Sequence, residues 1–271
     1  MRISNVFSRR NRILLRELVV TDFKLRYQGS ALGYAWSLLK PLFLFAILYV
    51  VFEKFLRLGK GVDHYPVYLL LGVVLWGFFT EATSNGLNSI ISRGDLIRKI
   101  NFPKYIIVVS GTISSLINLG LNLIVIIIFA YLNGVHFTFE MLLAIPLIIE
   151  LYILALAVAF FLSAFNVKFR DVGYLWEIFL QAAFYATPII YPLAMVINVS
   201  APAAKLIMLN PVAQAIQDIR YVVVTHDSIT IYQLFSKDLY IVVVPFVVVI
   251  LSVILASYYF KRNSRYFAES V

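Results

Sequence analysis

Long apolar stretches separated by short polar and basic ones dominate this chain. Six of them, at about 32–55, 65–91, 105–132, 141–165, 172–197 and 239–260, are long enough to cross a membrane as helices. A hydrocarbon core about 30 Å thick requires about 20 mostly apolar helical residues. The apolar runs do not alternate with polar residues as the strands of a membrane barrel do. The pattern therefore predicts an all-α polytopic membrane protein with six transmembrane helices.

An amphipathic segment precedes the first predicted span. In residues 10–28, Leu14 and Leu18 recur at helical spacing, while Arg12 and Arg16 fall on the opposite side. A helix with one apolar and one basic face is typical of a segment lying in the membrane interface. We therefore predict an N-terminal amphipathic interfacial helix.

The region 184–238 is apolar but interrupted by proline. Pro188, Pro192, Pro202 and Pro211 fall within it, and each would interrupt a continuous helix. Irregular backbone at membrane depth is tolerated only against protein or a water-filled cavity. We therefore expect short re-entrant helices on the outer side, between the fifth and sixth spans.

Composition narrows the class of protein. Of the 271 residues, 62% are hydrophobic and 14% are charged, and the mean hydropathy is +0.89. A soluble domain is about half apolar and about a quarter charged. These values exclude a soluble globular enzyme, and the long apolar runs exclude disorder.

The net charge of +9 reflects topology rather than nucleic-acid binding. Sixteen Lys and Arg residues fall in 1–31, 92–104, 166–171 and 261–271, against five in the other loops, namely Arg57, Lys60, Lys205, Arg220 and Lys237. Because Lys and Arg hold loops in the cytoplasm, both termini are expected there. The predicted organisation is a cytoplasmic N-terminus (1–30), a transmembrane domain (31–260) and a cytoplasmic tail (261–271).

The sequence contains no catalytic constellation. There are no cysteines, and the three histidines lack metal-ligand spacing. No phosphate-binding loop and no zinc-protease or nucleophile-elbow motif is present. We predict no catalytic residue, no metal site and no cofactor in this chain, so if the protein uses ATP, another chain must bind it.

Two features inside the spans leave alternatives open. Glu150 is the only charged residue in the fourth span. A carboxylate inside the membrane has either a functional role or a role in helix packing. With a functional Glu150, the chain would be a proton-coupled secondary transporter. In the third span, Gly111, Ser115, Asn118 and Asn122 share one helix face, which indicates a packing seam rather than a substrate site.

The order of several motifs resembles the permeases of ABC transporters that export polysaccharides. The motifs are LLREL (14–18), DFKLRY (22–27), GSALGYAW (29–36), KPL (40–42), LGVVLWGFF (71–79), LIRKINFPK (96–104), VKFRDV (167–172), the run 180–191 and NP (210–211). They span nearly the whole chain in the family's order. The family includes exporters of O-antigen, teichoic acid and some capsules.

The resemblance implies an assembly and a substrate. Such permeases are homodimers in the bacterial plasma membrane with two copies of a separate ATPase subunit. Their substrate is a glycan on a polyprenyl-diphosphate lipid, and teichoic acid is the alternative to an O-antigen glycan. The resemblance implies neither nucleic-acid binding nor catalysis by this chain. The chain is therefore expected to be a transport subunit. A membrane glycosyltransferase is disfavoured because acidic loop residues are scattered.

The resemblance also suggests roles for three groups of residues. The channel would lie between protomers, lined by aromatic residues of the first and fifth spans, which would stack on sugar rings: Phe43, Tyr49, Phe52, Phe179, Phe184 and Tyr185. Coupling to the ATPase would involve Arg93, Asp95, Arg98, Lys99, Lys104, Lys168, Arg170 and Asp171. Either a lipid diphosphate or anionic membrane lipid would meet Arg12, Arg16, Lys24 and Arg26.

Overall fold

The computed structural model describes residues 8–27, 32–235 and 238–267, and these ranges contain helices and no β-strand. The ends of the predicted N-terminus and tail, 1–7 and 268–271, lie outside the described residues. The helices are α1 (Arg9–Tyr27), α2 (Trp36–Leu48), α3 (Tyr65–Ser89), α4 (Gly94–Lys99), α5 (Tyr105–Leu132), α6 (Ala144–Lys168), α7 (Val172–Ala186), α8 (Leu193–Val199), α9 (Ala201–Met208), α10 (Pro211–Val223), α11 (Ile231–Leu234), α12 (Leu239–Val242) and α13 (Val244–Asn263).

Helix α3 forms the centre of the bundle. It packs against α2, α5, α6, α7 and α10, and most of its side chains are buried. Gly86 makes the approach to α6 possible, because a Cβ atom there would lie 2.3 Å from the Cβ of Ala159. Small residues allow helices in a membrane to approach closely and gain packing energy. The sequence of α3 therefore determines how tightly its neighbours assemble.

Four helical segments of the described chain are long and apolar enough to cross a membrane. They are Tyr65–Ser89, Tyr105–Leu132, Phe139–Lys168 and Leu239–Asn263. The last is mostly exposed and apolar, as suits a helix facing lipid. These segments correspond to the second, third, fourth and sixth predicted spans.

The remaining two predicted spans are less regular. Helix α2 continues as a π-helix over Tyr49–Phe55, which matches the end of the first predicted span at 55. Helix α7 ends at Ala186, whereas the fifth span was expected to reach 197. Its 15 residues extend about 22 Å, less than the hydrocarbon core. The helix stops because Thr187 precedes Pro188 and is extended, as residues before proline prefer to be.

Short helices form a layer at the end of the bundle opposite α1 and α4. Ser200 caps α9 by accepting a hydrogen bond from the Ala203 amide, and Asn210 caps α10 by accepting one from the Val212 amide. Pro211 occupies the first turn of α10, where its missing N–H costs nothing. The prolines thus separate and start helices, as the sequence pattern predicts. We call α8 to α11 the outer layer.

Arg220 joins this outer layer to α3. Its side chain is fully buried, and its guanidinium donates to the backbone carbonyls of Tyr68 (3.0 Å), Pro188 (2.6 Å) and Ile189 (2.6 Å). It also lies 3.6 Å from the centre of the Tyr68 ring. Arg220, expected in an outer loop, is therefore a buried residue of helix α10 within the outer layer. Its carbonyl partners lie in the first turn of helix α3 and in the turn after α7, which sequence patterns do not bring together.

Gly72 and Gly77 offer a matched test of this joint. A Cβ atom at Gly72 would lie 2.0 Å from Nη2 of Arg220, whereas one at Gly77 would meet no atom within 4 Å. Both Gly→Ala changes favour helix intrinsically. We expect Gly72→Ala to destabilise the protein by about 1–3 kcal/mol through overpacking, and Gly77→Ala to leave stability unchanged or raised. Thermal unfolding in detergent would measure both, and equal melting temperatures would contradict the assignment.

Candidate functional site

Helix α1 lies against the end of the bundle that carries α4. Leu14 and Leu18 face inward and pack on a cluster that includes Ile97, Phe102 and Phe267. We call this region, made of α1, 90–104, 166–171 and 261–267, the basic end. Arg12, Arg16 and Lys24 are exposed on its surface, while the side chain of Arg26 lies outside the described residues.

Arg93 ties α1 to the segment between α3 and α4. Its guanidinium forms an ion pair with Asp22 of α1 and lies 3.4 Å from the hydroxyl of Ser110 on α5. Burial lowers the pKa of Arg93 from the ordinary value of an arginine. Arg93 therefore faces its own chain, unlike its exposed neighbours Arg98 and Lys99.

A small polar pocket of about 150 Å³ separates α4 from the turn between α6 and α7. Asp95, Arg98 and Arg170 border it, and Arg98 lies 3.7 Å from Asp95. The structure thus brings together three of the residues predicted to couple to an ATPase. Of the others, Lys99, Lys168 and Asp171 are exposed around it, and Lys104 is half-buried at the start of α5.

A much larger cavity, of about 1290 Å³, lies between α2, α3 and α7. One side of it is a row of polar side chains on α3, spaced so that they share a helix face: Thr80, Glu81, Ser84, Asn85 and Asn88. We call these five residues the polar row. Aromatic residues face the same space: Trp36, Trp76, Tyr174, Trp176, Phe184 and Tyr185. The cavity therefore combines hydrogen-bonding groups with flat apolar rings.

Hydrogen bonds to α5 fix the polar row. The Asn118 amide donates to Glu81 (2.7 Å), and the Asn85 amide donates to Ser115 (2.9 Å). Asn122 reaches the backbone of Ser37 at the start of α2 (3.3 Å). The small and amide residues of α5 thus form interhelical contacts, and Asn118 and Asn122 also border the cavity. A rigid arrangement of donors and acceptors results.

The six aromatic residues predicted to line a channel are distributed differently. Phe184 and Tyr185 border the cavity, whereas the other four do not. Phe43 and Phe179 are exposed, and Phe179 stacks on Trp176 with ring centres 5.1 Å apart. Tyr49 and Phe52 are partly buried against the core around α3.

Sequence reasoning missed the polar row, Trp36 and Trp176 as cavity residues. The signal was present, because positions 77, 80/81, 84/85 and 88 recur at the helical period and are all small or polar. Within the described ranges, no group of three His, Cys, Asp or Glu side chains could hold a metal ion.

Comparison with known proteins identifies a family whose sequence pattern this chain matches. The model of the ABC-2 type transporters matches residues 13–224, which include most of α1, the cavity helices and α10. The O-antigen export system permease protein RfbA of Myxococcus xanthus is 30% identical over 198 residues, covering 73% of this chain and 75% of that protein. The protein of the same name from Klebsiella pneumoniae is 30% identical over 204 residues, covering 75% and 77%.

The ion pair of Arg93 and Asp22 can be tested by exchanging its charges. Arg93→Asp or Asp22→Arg alone places like charges in a partly buried contact, so α1 should detach more often and trypsin should cleave it faster. The double variant restores opposite charges and should recover most of the resistance, with a coupling of about 1–3 kcal/mol. Mass spectrometry of timed digests measures cleavage within α1. Unchanged rates in both single variants would show that the pair does not hold the helix.

Proposed function

Because the chain belongs to the ABC-2 type transporter family, we propose that it is the permease of an exporter for a lipid-linked polysaccharide. The family makes the chain a membrane transport subunit, working with an ATPase, rather than a catalyst. The relatives are O-antigen export permeases, so an O-antigen glycan on a polyprenyl diphosphate is the proposed substrate. Export would be driven by ATP hydrolysis on the partner, which would also bind magnesium.

The observation that carries this proposal, beyond the family, is the chemistry of the cavity. A sugar presents hydroxyl groups at its edge and C–H groups on its faces. The polar row offers amide, hydroxyl and carboxylate partners for the hydroxyls, and Trp36 and Trp176 offer flat surfaces for the C–H faces. A site that mixes apolar rings with a few fixed polar groups is typical of small-ligand recognition. The cavity thus suits a sugar unit better than a purely apolar lipid tail.

The proposed assembly is a homodimer with two ATPase subunits in the bacterial inner membrane. In it, α2 with its π-helical extension, and α7 with the outer layer, would complete six membrane crossings with both termini cytoplasmic. The basic end would then face the ATPases. There, exposed Arg98, Lys99 and Arg170 could meet acidic groups of the partner, while Arg12, Arg16 and Lys24 could attract a diphosphate head group.

The experiment that tests the function is reconstitution with the candidate ATPase in liposomes. Stable co-purification and an ATP turnover that responds to an added polyprenyl-linked glycan would support it. Parallel arms with an O-antigen-type and a teichoic-acid-type substrate would separate the two candidate cargoes. A chain that purifies alone and transports under a proton gradient without ATP would overturn the proposal in favour of a secondary transporter.

Ser84→Leu tests the cavity as the substrate site in the same assay. The change removes a hydroxyl from the polar row and should raise the glycan concentration for half-maximal stimulation several-fold, as expected for a hydrogen bond worth about 1 kcal/mol. Ser252→Leu is the matched control, since Ser252 lies on α13 and does not border the cavity. Equal glycan concentrations for half-maximal stimulation in both variants would show that the cavity does not recognise the substrate.

Charge reversal on α4 tests the coupling surface. Arg98→Glu with Lys99→Glu should lower ATPase co-purification and abolish substrate-stimulated turnover, because exposed cations would become anions facing the partner. Folding should persist, since both side chains lie at the surface. Arg57→Glu with Lys60→Glu, two exposed cations that precede α3 and lie outside the basic end, controls for net charge. Normal assembly and export of the α4 variant would rule out this surface.

A further inference from the structure

Trp176 of α7 is held by a hydroxyl group that lies outside the cavity. Its indole Nε1 donates a hydrogen bond to Oγ1 of Thr83 at 3.2 Å. Thr83 is fully buried on α3, and its own hydroxyl donates to the backbone of that helix, at the carbonyls of Phe79 (2.8 Å) and Thr80 (3.2 Å). Because the single hydrogen of the hydroxyl is directed to the backbone, an oxygen lone pair remains for the indole. Thr83 is therefore an acceptor of defined orientation.

Two phenylalanine rings also contact the Trp176 indole. Phe179 lies one turn further along α7 and stacks on the indole, with ring centres 5.1 Å apart. Phe79, on α3, is tilted by 56° with its ring centre at 6.5 Å. Both separations are within the range in which aromatic pairs attract each other. The orientation of the indole is therefore fixed by α3 and α7 together.

The Trp176 indole borders the cavity, where some of the other rings are more exposed. Trp176 is half-buried, whereas Tyr174 and Tyr185, which border the same space, are 73% and 66% exposed. A mobile side chain must be ordered when a ligand binds, and this ordering lowers the affinity. A ring that is already held in place avoids that loss. Trp176 is therefore better prepared than these tyrosines to stack on the C–H face of a sugar.

We propose that Thr83 is a positioning residue for the transported glycan, because it holds the Trp176 ring in the orientation in which a sugar unit stacks on it. This role rests on the proposed function. Thr83 does not border the cavity, so it acts on the substrate through the indole and not by contact. The same hydrogen bond joins α3 to α7, so a purely structural role of Thr83 is the alternative.

Three substitutions distinguish the two roles. Thr83→Val removes the acceptor with little change in side-chain volume, and Thr83→Ser keeps a hydroxyl. Thr112→Val is the matched control, because Thr112 is also fully buried, donates to the backbone of its own helix at Val109 (3.0 Å) and lies 3.4 Å from the hydroxyl of Tyr152. Thr112 does not border the cavity. The loss of a buried hydroxyl as such therefore affects both valine variants.

The indole N–H signals of the isotope-labelled full chain in lipid nanodiscs report the hydrogen bond without any substrate. The chain has three tryptophans, and the signal of Trp176 is the one that Trp176→Phe removes. Thr83→Val should shift this signal and speed its exchange with water, whereas Thr83→Ser and Thr112→Val should leave it in place. A Trp176 signal that Thr83→Val does not change overturns the proposal, because Thr83 then does not hold the indole.

Reconstitution with the ATPase measures the effect on the substrate. Thr83→Val should raise the glycan concentration for half-maximal stimulation of ATP turnover about two- to tenfold, as expected when one side chain must be ordered on binding, with a smaller effect on the maximal turnover. Thr83→Ser and Thr112→Val should resemble the wild type. In a Trp176→Phe background, Thr83→Val should have no further effect, because the indole through which it acts is absent.

Failure of this role is distinguishable from failure of the proposed function. If the wild type responds to the glycan and Thr83→Val has the same half-maximal concentration, the positioning role alone is overturned. An equal rise in Thr112→Val, or a further rise when Thr83→Val is added to Trp176→Phe, overturns it as well, since Thr83 would then not act through the indole. A wild type that no glycan stimulates overturns the proposed function, and the positioning role with it.

Discussion

The buried guanidinium of Arg220 is the constraint on which the arrangement of the outer layer depends. Removing a guanidinium from water is costly unless its N–H groups find partners. Here the carbonyls of Tyr68, Pro188 and Ile189 accept from them. Pro188 and Ile189 lie in the turn after α7, outside any helix, and carbonyls of such turns need donors in a membrane protein. One side chain of α10 thus donates hydrogen bonds to three carbonyls and fixes α10, α3 and the turn after α7 relative to one another.

Helix α3 joins this constraint to the cavity. Its first half carries Tyr68 and Gly72 against Arg220, and its second half carries the polar row. Glu81 and Asn85 hydrogen-bond to α5 while also bordering the cavity. The contacts that hold the bundle together therefore also set the positions of the polar groups that border the cavity. Helices α2 and α7, which border the cavity as well, have fewer buried residues than α3.

Much of the fold could be predicted from local patterns, because apolar run length and proline position act within a few turns of helix. The spans at α3, α5, α6 and α13, and the breaks at Pro188 and Pro211, follow from them. The burial of Arg220 could not be predicted in this way. A loop arginine and a buried one look identical in sequence, since the carbonyls that distinguish them are up to 152 residues away. The cavity could be predicted only in part, for the same reason. The helical period of the polar row is present in the sequence, but the sequence does not show which helices face it.

The joint at Arg220 also has a consequence for the order in which the chain is made. Tyr68 emerges from the ribosome 152 residues before the arginine that binds its carbonyl, and the turn at Pro188 precedes that arginine by 32. A nascent chain ending before α10 therefore lacks the guanidinium that joins α3 to the turn, and keeps the hydrogen bond from the Tyr65 hydroxyl to the carbonyl of Ile190. The guanidinium connection of the outer layer therefore forms only after α10 has been synthesised. Until Arg220 is synthesised, the carbonyls of Pro188 and Ile189 lack the guanidinium that they bind in the folded protein.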